Sequence, residues 1–254
     1  MIIIPKNIVE KTAVVILAAG KGTRLGCTDI PKVMKLLAGK PIVSYVVETL
    51  TDMGFTNEHI CLVVGFKKEK VTEYFKDRVS YAHQEEQKGT AHAAYTGMKE
   101  LPKHIDTILV IQGDDSAFYS PETINRFIQE HCDSHAKLSL LSIDVDNPDQ
   151  LGRIIRHENG DIEVIEKEYI TEEQKKIKEI STGTFCFNRE WFEHMYPTMP
   201  QLRKLGEYAL PTALAMARDQ GVKWQVIKIE NGHEWFGINT PEQLEQAEQM
   251  KKGK

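Results

Sequence analysis

The chain has 254 residues, 41% hydrophobic and 27% charged, with a net charge of −5. That length can bury a sizeable core, and the acidic balance excludes general attraction to nucleic acid or anionic membranes, so any working cation must act by placement. The four cysteines, 27, 61, 132 and 186, form no C-x-x-C pair, and no apolar run approaches the about 20 residues of a membrane span, which leaves a reducing, cytoplasmic setting as the expectation.

The opening Met1-Ile2-Ile3-Ile4 is cut short by Pro5 and has no basic leader, so no signal peptide is expected. The first apolar run predicts a strand over 13–18, ending in Leu17-Ala18-Ala19-Gly20-Lys21-Gly22-Thr23-Arg24-Leu25-Gly26. A Walker loop needs Gly, four residues, then Gly-Lys-Ser/Thr, an order absent here. The dinucleotide fingerprint also fails, because Gly20, Gly22 and Gly26 are spaced G-x-G-x-x-x-G and no acid stands about 20 residues on at a strand end. What remains is a strand ending in bare backbone N–H groups, with Lys21, Arg24 and Lys32 nearby. That suits a polyphosphate, and an ordinary strand-to-helix turn with solvated charges has the same composition.

Helix 40–53, strand 60–64, helix 67–76, strand 79–83, helix 89–100, strand 107–112, helix 121–133 and strand 137–145 follow by their periodicity. This alternation predicts an α/β fold with a doubly wound, mostly parallel sheet. Ligands of such sheets sit at the carboxyl ends of strands, which puts the 19–26 loop and Gly113-Asp114 on one rim. Between the strand at 79–83 and the next helix lies Gln84-Glu85-Glu86-Gln87-Lys88-Gly89-Thr90. Gln84 offers both a carbonyl and an NH2, which matches a uracil edge, and Gly89-Thr90 open a helix with free N–H groups; a polar loop with Thr90 as helix cap fits equally. Asp114 follows a buried strand directly, as a hard oxygen ligand for Mg²⁺ would, or as part of a plain Gly-Asp turn. Asn239, just before the last helix, is the candidate second ligand or a helper in capping that helix.

After residue 150 the pattern becomes β-rich. A hairpin pairs 153–156 with 161–165 about Glu158-Asn159-Gly160. A polar helix over 171–179, a strand over 181–187, a helix over 206–220 and a strand over 223–229 follow. The last helix opens with the capping sequence Thr240-Pro241-Glu242-Gln243. No repeat or linker divides these pieces, so residues 1–254 are expected to form a single domain with a β-rich excursion that walls a second ligand.

Taken in order, LAAGKGTRLG, Ile30-Pro31-Lys32-Val33, Ala38-Gly39-Lys40-Pro41-Ile42, QEEQKGTAHA, Gly113-Asp114, Gly152-Arg153-Ile154, Ser181-Thr182-Gly183, Gly206-Glu207-Tyr208 and Gly237-Ile238-Asn239 resemble the sugar-nucleotide pyrophosphorylases. Within that nucleotidyltransferase family the similarity is greatest to the uridylyltransferase domain of UDP-N-acetylglucosamine pyrophosphorylases, from about residue 12 to the last helix. The resemblance implies a Rossmann-like nucleotide-diphospho-sugar transferase fold, with a nucleotide-binding half of about 1–115 and a sugar-binding half of about 116–254. It implies UTP plus a sugar 1-phosphate, N-acetylglucosamine 1-phosphate favoured, giving UDP-sugar and pyrophosphate with Mg²⁺.

By the same resemblance Leu17, Ala18, Ala19, Gly20, Gly22, Gln84, Gly89 and Thr90 bind the nucleotide, and Arg24 and Lys32 are catalytic cations. Asp114 and Asn239 hold the metal, while Gly152, Glu166, Lys167 and Ser181 face the sugar. The chain departs from the family's usual residues at Gln112, Asp115-Ser116, Ser181 and Thr212, and Glu166-Lys167 is more like the Glu-Lys of glucose-1-phosphate nucleotidylyltransferases. A hexose-1-phosphate uridylyltransferase, a cytidylyltransferase and a nucleotide-sugar-binding protein without turnover are the competing readings. The family's bifunctional members add a hexapeptide-repeat acetyltransferase, and no such repeat follows here, so no acetyltransferase activity is expected from this chain.

Overall fold

The computed structural model describes residues 5–148, 151–158, 162–165, 169–202 and 206–253. Helix α1 (Lys6–Lys11) leads into β1 (Thr12–Ala18), and a small hairpin, β2 (Leu36–Leu37) with β3 (Lys40–Pro41), precedes α2 (Ile42–Asp52). Then come β4 (Ile60–Val64), α3 (Lys68–Phe75), β5 (Ser80–His83), α4 (Thr90–Lys99), β6 (Thr107–Gln112), α5 (Pro121–Ser134) and β7 (Leu138–Asp144). The remainder is β8 (Arg153–Arg156), β9 (Ile162–Ile165), β10 (Glu179–Asn188), α6 (Arg189–Met195), α7 (Thr212–Asp219), β11 (Trp224–Lys228) and α8 (Pro241–Lys252).

Among the described residues seven strands form one sheet, in the order β5-β4-β1-β6-β10-β7-β11. All neighbours pair in parallel except β10, which runs antiparallel to both β6 and β7. Alternation along β1 divides its side chains between two cores: Val14, Ile16 and Ala18 face α2, α3 and α5, whereas Ala13, Val15 and Leu17 face α4, α6 and α7. The sheet is thus doubly wound, as its sequence pattern predicts. Helix α4 closes onto β1 and β4 through Gly97, where a Cβ would lie 2.5 Å from Val15 Cγ1.

Two predicted stretches differ. Residues 171–179 hold no α-helix: a single 3-10 turn, Gln174–Lys176, is all that forms, and Glu179 already belongs to β10. The stretch Glu172-Glu173-Gln174-Lys175-Lys176 offers no apolar stripe to bury, and so short a segment cannot sustain a helix without one. The helix predicted from 206 starts only at Thr212, because the preceding residues are drawn alongside α4: Tyr208 N donates to Lys88 O (2.7 Å) and Ala91 N to Tyr208 O (2.8 Å). Helices α1 and α6 were not expected. The hairpin of β8 and β9 forms as predicted, while its turn residues Asn159, Gly160 and Asp161 lie outside the described residues. Among the described residues no helix is long and apolar enough to cross a membrane.

Candidate active site

The carboxyl ends of β1 and β6 form the rim on which the site is built. Gly113 follows β6 and its N–H donates to Leu17 O at 3.0 Å; a Cβ there would sit 2.9 Å from that oxygen, so glycine allows the Asp114 turn to lie against the end of β1. Gly22, in the left-handed region at φ 73°, plays the same part below the loop: a Cβ would approach Lys32 Cβ to 2.5 Å. The glycine loop and the 3-10 turn Lys32–Met34 therefore pack back to back, with Arg24 on a 3-10 turn of its own, Thr23–Leu25.

Three distant segments meet at one cluster of charges. Lys32, 9% exposed, reaches up through the loop to pair with Asp114 Oδ2 and donates to Asn239 Oδ1 at 2.8 Å. Arg24 Nη2 donates to the same Asn239 oxygen at 2.9 Å. Asn239 is aimed by the start of α8, where its N–H donates to Gln243 Oε1 (2.7 Å) and Thr240 and Gln243 close a capping box. The segment before it is tied to the start of α5, since Ser120 donates to Glu234 Oε2 through both its N–H and its hydroxyl. Burial alone raises the Glu234 pKa, but hydrogen bonds from Thr123, Ser120 and Asn231 hold it below the usual value, so it is an anion there.

Asp115 is a different kind of acid. Its Oδ1 and Trp235 Nε1 are buried and make no hydrogen bond of ordinary geometry, although the indole N–H is close enough to ease the carboxyl's burial. Burial first, and the Asp114 charge second, push its carboxyl well above the usual carboxylate range, against the pull of Lys32. Among the described residues no three His, Cys, Asp or Glu side chains form a metal cage. Asp114 and Asn239 nevertheless present two hard oxygens converging on one cation, the Lys32 ammonium, and that donor set fits a small divalent ion completed by phosphate oxygens.

A cleft of about 1460 Å³ opens beside this cluster, and Arg24, Thr90, Gln112, Asp114, Asp115 and Asn239 are among its lining residues. Gly152 and Ser181 line the same cleft. Gly152 is held by its neighbour: the buried Arg153 donates from Nη1 to Pro148 O (2.7 Å) and to Leu151 O. Ser181 stands at the β10 bulge, where its Oγ accepts from Gly183 N (3.2 Å) and Gln112 Nε2 contacts Gly183 O at 3.4 Å. Glu166 and Lys167 lie outside the described residues.

Leu17 and Ala18 end β1 as buried residues, and exposed Gly20 begins the loop. Gln84 and Gly89 stand together beside the first turn of α4, with Gln84 Nε2 donating to Gly89 O at 3.1 Å. Thr90 does not cap that helix. Gly89, at φ 99°, holds the cap position, and the Thr90 hydroxyl accepts from Leu210 N at 3.0 Å. Sequence reasoning passed over Gln87, whose Nε2 donates to Ala19 O at 2.7 Å and ties this loop to the glycine loop, and over His92; both stand within the QEEQKGTAHA stretch that drew attention to Gln84.

A family model described as nucleotidyl transferase matches residues 13–250. The chain is 34% identical over 240 residues to the bifunctional protein GlmU of Heliobacterium modesticaldum, covering 94% of this chain and 52% of that protein. It is 34% identical over 242 residues to GlmU of Caldicellulosiruptor saccharolyticus, with the same coverage, and 36% identical over 244 residues to GlmU of Desulfitobacterium hafniense, covering 94% and 51%. The chain thus spans about half the length of the curated relatives it matches. With a matching model across almost its whole length, on a doubly wound sheet whose rim gathers Arg24, Lys32, Asp114 and Asn239, the chain belongs to the nucleotidyl transferase family.

Proposed function

We propose that this chain is a uridylyltransferase that joins UTP and N-acetylglucosamine 1-phosphate to give UDP-N-acetylglucosamine and pyrophosphate. The observation that carries this reading is the convergence of Lys32 and Arg24 on Asn239, with Lys32 also paired to Asp114, at the mouth of a cleft large enough for two phosphorylated substrates. In the reaction a phosphate oxygen of the sugar 1-phosphate forms a bond to the α-phosphorus of UTP while the bond from that phosphorus to the bridging oxygen breaks, and pyrophosphate leaves. The attacking oxygen is already an anion, so no side-chain nucleophile is needed, and the protein's part is alignment of two polyanions plus charge stabilisation.

Backbone from Leu17 to Gly22, with Gln84, Gly89 and Thr90, holds the nucleotide. Lys32 reaches the phosphate under attack and Arg24 balances the charge growing on pyrophosphate. Asp114 and Asn239 hold Mg²⁺, which when bound neutralises phosphate charge and orients the oxygens. Gly152 and Ser181 face the sugar, together with Glu166 and Lys167. Ser181 favours a second reading, a hexose-1-phosphate uridylyltransferase, because its hydroxyl is short and offers no amide donor to an acetamido group.

Pyrophosphate release with Mg²⁺, crossing UTP, CTP, dTTP and ATP against glucose and N-acetylglucosamine 1-phosphates, tests both readings. Fastest release from UTP with N-acetylglucosamine 1-phosphate is expected. A glucose preference turns the sugar assignment to the second reading, and preferential use of CTP overturns uridylyl transfer.

A further inference from the structure

The Gln84 side chain, 5% exposed, is fixed at both hydrogens of its amide. Nε2 donates to the Gly89 carbonyl at 3.1 Å and lies 3.0 Å from Nδ1 of His92, in the first turn of α4. A carbonyl oxygen only accepts, so the contact with Gly89 O by itself decides which end of the amide is nitrogen. With the amide so turned, Nδ1 of His92 must accept the second N–H, which places the ring proton on Nε2. Burial, and then the charges of Lys88 and Lys99, lower the His92 pKa against Glu86, so the ring stays neutral and keeps the lone pair that this bond requires. The remaining hydrogen-bonding atom of Gln84 is its carbonyl, Oε1, and a carbonyl cannot donate.

We propose that His92 is a positioning residue that locks the Gln84 amide with its oxygen toward the base, so that the site accepts a base with N3–H and rejects one whose N3 is a bare acceptor. Uracil and thymine carry that hydrogen. Cytosine does not, and its N3 would face Oε1 acceptor to acceptor, at the cost of an unpaired buried group. This inference rests on the assignment of Gln84 to the base pocket. It adds a residue that need not touch the nucleotide at all.

The test is equilibrium binding of UTP, dTTP and CTP with Mg²⁺ to the wild type, His92→Leu and His92→Asn. Asn places an oxygen acceptor where Nδ1 stood, one bond from Cγ, whereas Leu places a methyl there. In the wild type UTP and dTTP bind more tightly than CTP. His92→Leu is expected to lower the UTP-to-CTP affinity ratio about tenfold, equivalent to about 1.4 kcal/mol, and His92→Asn to retain most of it. Equal weakening of all three nucleotides in His92→Leu would show a merely structural role and overturn the proposal, as would loss of selectivity in His92→Asn as large as in His92→Leu. A wild type that binds UTP and CTP alike removes Gln84 from the base pocket, a failure visible before any variant is made.

Discussion

Lys32→Met separates the two roles of the Lys32 ammonium. In the structure Lys32 pairs with Asp114 and donates to Asn239, the two side chains proposed to hold Mg²⁺, so without nucleotide a metal ion has to displace it. Two unit charges about 4 Å apart attract by about 4 kcal/mol at the effective dielectric of about 20 suited to such sites. The Lys32 side chain is 11% and that of Asp114 26% exposed, so solvent screens part of this attraction. Taking half gives about 2 kcal/mol, or about 30-fold in metal affinity. Methionine keeps the unbranched stem, one atom shorter, and removes the charge. Titration of the nucleotide-free protein with Mn²⁺, followed by electron paramagnetic resonance, is then expected to show about 30-fold tighter binding in Lys32→Met. Turnover should fall at least about a hundredfold in the same variant, because the charge proposed to meet the reacting phosphate is gone. Unchanged or weaker Mn²⁺ binding would refute the idea that lysine and metal share Asp114 and Asn239.

Three further outcomes follow from other parts of the molecule. Arg24→Ala should lower turnover by about a hundredfold with little loss of UDP-sugar affinity, since Arg24, in contact with Asn239, is proposed to serve the departing pyrophosphate; steady-state kinetics with product binding checks this, and unchanged turnover removes Arg24 from the chemistry. Gly89→Ala forces a side chain onto φ 99° and brings Cβ within 2.5 Å of Tyr208 O, a strain of about 1–3 kcal/mol that should weaken UTP binding about tenfold or more; calorimetry showing unchanged UTP affinity would sink the assignment of Gly89 to the base pocket. His131 is 2% exposed, bonded to Ser139, and held by burial at a pKa of about 4. Both states are neutral above pH about 6.5, and below that the unfolded chain binds the proton first, so stability falls by about 3 kcal/mol as pH drops from about 6.5 to 4. Urea unfolding at pH 7 and 4.5 should show His131→Asn losing less stability than wild type over that interval, and equal losses would contradict it.

Much of the fold is legible because β1 and its neighbours are apolar on both faces and the helices between them are amphipathic. The same reasoning fails where local pattern competes with contacts made elsewhere. Residues 206–211 read as the first turn of a helix, but the pairing of Tyr208 with Lys88 and Ala91 takes the backbone groups such a turn would use. Helix α6 escaped notice because it is short, although Asn188, which accepts from Trp191 N at 3.1 Å, is a readable cap. Within the site, each of Lys32, Asp114 and Asn239 stands in a recognisable motif, yet nothing in the one-dimensional spacing says that Lys32 bridges the other two. The roles of Asp115 and His92 depend on burial and on hydrogen-bond polarity across segments, which only the folded chain defines. Glu166 and Lys167 keep their proposed place at the sugar from the sequence resemblance alone.

The most direct measurement follows UTP and N-acetylglucosamine 1-phosphate with Mg²⁺ by phosphorus NMR in the presence of the purified chain. Stoichiometric appearance of UDP-N-acetylglucosamine and pyrophosphate as UTP disappears is the predicted result. No new diphosphate signal, with UTP bound but intact, would contradict catalysis by this site.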